Sequence, residues 1–223
     1  MKAILRSAEV YSMVGLQKSL EGVDVSDVTE LDVEGSIVTG KACADLLNLK
    51  TVNVITGSSI SEFAFKGSGV REIIVYDCPL MGDSTDISVD GIADCPFLEK
   101  LVLGSKTLVS ADAVHNNPNL KTLEVHETVR FDERVPGKNI HSNSNLKEII
   151  LNTGNKPPIR VTSRDEMGLM QLSSGLFLVR RQEGNLLLNS NGTLPISQKT
   201  PLSALKTSLE MGLGLGEAER NRH

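Results

Sequence analysis

The sequence predicts a strand-rich α/β repeat protein. The expected form is a short solenoid with a parallel sheet, an N-terminal capping helix and a C-terminal β-hairpin plus helix. Three observations predict it. A six-residue phrase (apolar, two mostly polar, apolar, any, apolar) begins at Val28, Leu49, Val70, Leu98, Leu120 and Leu146. Its starts lie 21, 21, 28, 22 and 26 residues apart, a period near 22 with insertions. The segments between the phrases also align, which chance does not produce in five registered copies.

Composition suits that reading. Hydrophobic residues make up 39% of the 223, enough for a packed core, while aromatics are only 3% and Trp is absent. Such a core is built from Val, Ile and Leu, the side chains that favour strands. Base-stacking nucleic-acid modules need exposed aromatics, and phosphate binding needs a basic face. A net charge of −5 and the lack of a Lys/Arg cluster beyond Arg180-Arg181 argue against both.

Residues 2–20 carry Ile4, Leu5, Val10, Met13, Val14, Leu16 and Leu20 mostly at helical spacing, with Gly22 to end the run. The expectation is a helix capping the open end of the stack. Residues 28–151 are the repeats. Within each phrase the first, fourth and sixth residues point into the stack, as strand alternation requires. Counting back from each phrase gives an apolar wall residue: Val38, Ile60, Ile87, Val109 and Val135. A small-apolar pair follows: Ala42-Cys43, Ala64-Phe65, Gly91-Ile92, Ala113-Val114 and Asn139-Ile140. Then comes Leu46, Ser68, Cys95, Asn117 or Asn143, where a short polar side chain can bond a free backbone group in a buried turn. Residues 77–88 and 127–137 are insertions.

This unit resembles the leucine-rich repeat of the BspA-like type, in which a strand alternates with a short segment holding an Ala-Phe pair and a Cys or Asn. Ala64-Phe65-Lys66-Gly67-Ser68 and Asp94-Cys95-Pro96 carry the likeness, which covers about residues 28–161. The resemblance implies a surface-exposed interaction protein rather than an enzyme.

Lys156-Pro157-Pro158 breaks the rhythm, and Ile159-Arg160-Val161 reads as a last edge strand. The expected division is therefore 1–161 for the repeats and cap, and 162–223 for the rest. In the second part, Leu176–Val179, Leu186–Leu188 and Thr193–Ile196 read as a meander, with turns at Glu183-Gly184-Asn185 and Asn191-Gly192. Thr200 with Pro201 begins a helix carrying Leu202, Leu205 and Leu209, and a charged tail follows from Gly214.

Motifs for chemistry are weak. Gly35-Ser36-Ile37-Val38-Thr39-Gly40-Lys41-Ala42 nearly matches a phosphate loop, but Ala42 stands where a metal-binding hydroxyl belongs. Cys43, Cys78 and Cys95 have no metal spacing, and reduced thiols are the default. His115, His126 and His141 read as ordinary solvent-facing residues, and Asp83, Asp86, Asp90 and Asp94 as a solvated acidic loop. No catalytic residue, cofactor site or metal site is expected.

The outward rows are more informative. The third residues of the phrases are polar. The fifth and seventh rows bring Ile55, Ile74, Tyr76 and Val102 to the middle of the outer sheet face. Exposed apolar clusters of this kind mark binding sites. Either another chain binds them, or the C-terminal meander or a loop covers them. The expected function is a non-enzymatic protein-protein interaction or structural module that binds other protein chains. The preferred form is a component of a larger assembly such as a virion, acting through the outer sheet face and the C-terminal appendage, with an adhesin-like surface protein as the alternative. Neither nucleic acid nor membrane insertion is expected. The N-terminus lacks the apolar core of a signal peptide, so a cytoplasmic or virion-associated protein is anticipated.

Overall fold

The structure, a computed structural model, describes residues 1–196 apart from 45, 78–83, 133–138, 155 and 174. The chain circulates through three sheets in turn. Sheet A collects one strand from each circuit: β1 (Lys2–Arg6), β3 (Glu30–Glu34), β5 (Thr51–Ile55), β7 (Glu72–Val75), β10 (Lys100–Leu103), β13 (Thr122–His126) and β16 (Glu148–Asn152). These seven run parallel, and β17 (Ile159–Thr162) closes the sheet antiparallel to β16. Sheet B stacks short parallel strands: β2 (Glu9–Val10), β4 (Ile37–Val38), β6 (Ser59–Ile60), β8 (Thr85–Ile87), β11 (Thr107–Val109) and β14 (Arg130–Phe131). Sheet C begins with β9 (Ile92–Ala93), β12 (Val114–His115) and β15 (Ile140–His141), which are parallel. It continues as an antiparallel meander of β18 (Gly168–Ser173), β19 (Leu176–Arg180), β20 (Asn185–Asn189) and β21 (Gly192–Ile196).

The register of sheet A is that of the phrases. Glu30, Thr51, Glu72, Lys100, Thr122 and Glu148, the third residue of each copy, stand side by side. The inward rows are sealed. Val28, Leu49, Val70, Leu98, Leu120 and Leu146, then Leu31, Val52, Ile73, Leu101, Leu123 and Ile149, then Val33, Val54, Val75, Leu103, Val125 and Leu151 are each at most 1% exposed. Full burial of such a side chain contributes about 1.5–3 kcal/mol, so these rows dominate folding.

The N-terminal expectation needs correction. Residues 2–20 are not one helix. β1 joins sheet A with Lys2 opposite Glu30, and only Met13–Ser19 is helical (α1), N-capped by the Ser12 hydroxyl, which accepts from the Gly15 N–H. The decisive pattern is the alternation of Lys2, Ile4 and Arg6 outward with buried Ala3 and Leu5 inward. Lys2–Glu30 and Arg6–Glu34 ion pairs at 2.7 and 2.6 Å accompany that register. Helix α1 packs against β2 and sends Leu16 into the core, with Leu20 following at its C-cap.

The second wall is Val10, Val38, Ile60, Ile87, Val109 and Phe131, matched in register across sheet B. Phe131, not Val135, takes the last position. The extra residues of that circuit enter after β14, and Val135 lies outside the described residues. On the third side Cys43, Phe65, Ile92, Val114 and Ile140 are buried, as the small-apolar pairs require.

Two polar ladders tie the circuits together. Asn117 accepts from the Cys95 N–H (3.0 Å) and donates to the Ile92 carbonyl (2.9 Å), and its own N–H donates to Asn143 Oδ1 (3.1 Å). Asn143 in turn donates to the Val114 and His141 carbonyls. At the corner between sheets A and B, the Ser36 hydroxyl donates to the Leu5 and Glu34 carbonyls, and Ser58 donates to those of Val33 and Ile55. Each side chain replaces a backbone partner that a tight corner cannot offer.

The meander strands match the sequence reading to within a residue or two, and β18 adds a strand that the sequence did not signal. Met167, Leu169, Phe177, Val179, Leu186 and Leu188 belong to the same core as the circuits. Phe177 meets Phe131 edge-on at 5.9 Å. Gln171 accepts from the Phe131 N–H and donates to the Val129 carbonyl. Residues on both sides of the expected 161/162 boundary thus share one core. The expected helix from Thr200 and the tail from Gly214 lie outside the described residues, as do Cys78 and Asp83.

Candidate functional site

Sheet A presents its third, fifth and seventh rows outward. The third row is a charge ladder rather than a set of free groups. Lys100 reaches Glu124 at 3.0 Å and Glu72 at 3.3 Å, and Arg160 reaches Glu148 at 2.9 Å. The hydrogen bond to Glu124, aided by Glu72, holds the Lys100 ammonium above its ordinary value. Beside Lys2, the Asn53 amide donates to Asp32 (2.7 Å) and Glu30 (2.9 Å), so this end of the face is polar and paired.

Toward the carboxyl ends of β7, β10 and β13 the face hollows into a cavity of about 420 Å³. Ile74 and Val102, adjacent in register and half-buried, supply its apolar lining. Tyr76 stands at its side, 47% exposed. Gly104 also lines it, and a Cβ there would lie 2.5 Å from the Val75 carbonyl oxygen, so only glycine lets the chains approach this closely. The far wall is the end of β16 and the segment after it, including Asn152, Gly154 and Lys156. Lys156 Nζ donates to the Ser190 carbonyl (3.1 Å) and Asn191 Oδ1 (3.0 Å), fixing this wall to the β20–β21 turn. His126, held by Thr128 at 2.9 Å, completes the lining.

Three of the four expected residues therefore meet: Ile74, Tyr76 and Val102. Ile55 does not line the cavity and is half-buried beside Glu34. Gly104, His126 and Asn152 fall in the seventh row, so their place on this face could be read from the phrase. Lys156 could not, because it comes from the irregular segment that breaks the repeat. The meander touches the cavity wall at Lys156 through its turn at Ser190-Asn191, and Tyr76 is exposed.

The weaker motifs resolve into scaffold. In the phosphate-loop look-alike, the N–H groups of Gly35, Ser36, Ile37, Thr39, Lys41 and Ala42 already donate to protein oxygens. A phosphate would have to displace the contacts between circuits. Burial pushes the Cys43 thiol up to about 12 and raises Cys95 as well, so neither is a thiolate nucleophile at neutral pH. The Cys95 thiol lies within hydrogen-bond reach of the Phe65 and Ala93 carbonyls.

His115 and His141 are not plain solvent-facing residues. They occupy β12 and β15 and stack with centroids 5.3 Å apart and planes 3° from parallel. Nε2 of each meets an aspartate of a preceding circuit, Asp90 at 2.7 Å and Asp112 at 2.9 Å. The acidic residues do not form one loop. Asp86 lies in β8, Asp90 engages His115, and Asp94 pairs with Lys66 at 2.7 Å, a hydrogen bond that lowers the Asp94 carboxyl below its usual range. Among the described residues no group of three His, Cys, Asp or Glu could hold a metal ion, and no helix is long and apolar enough to cross a membrane.

No protein family, curated protein or solved structure matches the chain.

Proposed function

We propose that the protein is a short leucine-rich-repeat solenoid of the BspA-like type. In this reading it acts as a non-enzymatic interaction or structural module, a component of a larger assembly such as a virion, and grips another protein chain in the groove of sheet A. The observation that carries the proposal is the half-exposed Tyr76 beside Ile74 and Val102 in a hollow framed by paired charges. Aromatic anchors over apolar pockets within a polar rim concentrate binding energy at protein interfaces. The Lys100, Glu72 and Glu124 charges beside the groove are already paired with one another, so they would set register rather than drive affinity. The buried thiols and the occupied backbone N–H groups fit a binding role better than a catalytic one.

The test is photo-cross-linking in the native host, with a photoreactive residue at Tyr76 and, as control, at Val89, which is equally exposed elsewhere. A discrete protein adduct is expected from position 76 only. It should disappear in the Ile74→Ser background while the thermal melt stays nearly unchanged. Equal adducts at both positions, or none at 76, would refute this site.

A further inference from the structure

The sheet A groove carries two charges of opposite sign on opposite sides, and neither meets an opposite charge. Lys156 stands in the far wall. Its ammonium donates to the Ser190 carbonyl and Asn191 Oδ1, both neutral, and no carboxylate pairs with it among the described residues. Asp77 lines the near side, just after β7. Its Oδ1 accepts from the Ser105 N–H, and no cation pairs with it among the described residues. Both residues are exposed, so each charge stays hydrated until a partner arrives.

His126 adds a directed donor. The Thr128 backbone N–H can only donate, and it meets His126 Nδ1 at 3.2 Å. Nδ1 is therefore the acceptor, and the neutral ring carries its proton on Nε2. Nε2 has no hydrogen-bond partner among the described residues. It lies beside Gly154, where a Cβ would stand 3.7 Å from it. Gly154 and Lys156 belong to the same wall, so the donor and the ammonium share one side of the groove.

Between the two sides lies the apolar floor of Ile74 and Val102. Strands β7, β10, β13 and β16 are successive in sheet A, so three strand spacings, about 14 Å, separate Asp77 from the far wall. An extended segment rises about 3.3 Å per residue, so about five residues cross that distance. Alternate residues of such a segment face the same way.

We propose that the groove takes an extended partner segment of about five residues that crosses the strands and carries acidic, apolar and basic residues at alternate positions. The acidic side chain meets His126 Nε2–H and Lys156, the apolar one packs on Ile74 and Val102 beside Tyr76, and the basic one meets Asp77. This rests on the reading of the groove as a protein-binding site and adds the chemistry of the partner. The two charges also fix the direction of the segment, because a reversed segment would set like charges against Asp77 and Lys156.

The photo-cross-link from position 76 of the full chain tests the chemistry as well as the site. Tandem mass spectrometry of the adduct should find the acidic, apolar and basic residues at alternate positions in the cross-linked partner segment. Lys156→Gln and Asp77→Asn each remove a charge and keep a hydrogen-bonding amide. Each should lower the adduct yield by about fivefold with the thermal melt nearly unchanged. Exchanging the mapped partner acid for Lys should restore the yield in the Lys156→Glu variant. Should Lys156→Gln loosen the wall and lower the melt, Asp77→Asn, which keeps the acceptor for Ser105, decides alone. A yield unchanged by Asp77→Asn or by a folded Lys156→Gln, no restoration by the exchanged partner, or a mapped segment without the two opposite charges overturns this chemistry and leaves the groove reading standing. No adduct at 76 overturns both.

Discussion

The asparagine ladder supports a quantitative prediction, because the same repeat position holds a bonded side chain in one circuit and an unbonded one in another. Asn117 is fully buried. Asn117→Ala removes the acceptor of the Cys95 N–H and the side-chain donor to the Ile92 carbonyl. Each buried polar group left unpaired costs about 1–3 kcal/mol, so the change should destabilise by roughly 2–5 kcal/mol. That is a large part of the roughly 5–15 kcal/mol typical of a domain. For a chain of this length it corresponds to a fall in Tm of about 5–15 °C. Ser68 occupies the equivalent position two circuits earlier, also fully buried, and its hydroxyl has no partner among the described residues. Ser68→Ala should therefore be neutral or stabilise by up to about 1 kcal/mol, since it removes an uncompensated polar group. Chemical denaturation followed by circular dichroism measures both, with equal m-values required for comparison. Similar costs for the two substitutions, or an Asn117→Ala effect below about 0.5 kcal/mol, would show that shape alone, and not the hydrogen-bond ladder, holds this corner.

Other outcomes follow from the same geometry. Leu123→Asp places an unpaired charge in a fully buried row and should abolish the cooperative thermal transition; a melt near the wild-type temperature would refute the inward register. Gly69→Ala drives a Cβ into the Leu47 carbonyl oxygen and should prevent native stacking. Gly22→Ala meets nothing within 4 Å and should cost only the strain of its left-handed backbone, about 1 kcal/mol, by the same denaturation assay. Peptide mapping after alkylation at pH 8 should find Cys43 and Cys95 labelled only once the protein is unfolded. Because the Cys43 pKa is raised on folding, from 9.0 to about 12, its contribution to stability is complete below pH 9. It should be lost as pH climbs from there toward 12, and alkaline melts of Cys43→Ala should lack that part of the decline.

The repeat was legible because each circuit obeys the same constraint. Leu49, Val52 and Val54 must point inward together, and Leu120, Leu123 and Val125 must do so in the next register. The polar corner was legible for a related reason, since few short side chains can bond a backbone group in a buried turn. Asn117 and Asn143 show what that position does. Residues 2–20 were misread because a few apolar residues fit both periods. Ala3 and Leu5 take the strand period only when β3 supplies the partner edge and Glu30 and Glu34 pair with Lys2 and Arg6. Val135 was misplaced because an insertion cannot be located within a circuit by counting, and sheet B register gives the wall position to Phe131.

The groove divides in the same way. Ile74, Tyr76 and Val102 are on one face because alternation within a strand and stacking between strands are short-range rules. The sequence alone determines that face. The hollow exists only in the tertiary structure. Gly104 must accept a close backbone approach, and the chain after β16 must turn back and be pinned by Lys156 to Ser190 and Asn191, residues far along the sequence. The stacked pair His115–His141 and its aspartates likewise depend on contacts between circuits, 25 and 29 residues apart for the two His–Asp bonds. Periodicity sets which way each side chain points. Which distant side chains meet depends on how the irregular segments close over the stack, and no local pattern encodes that.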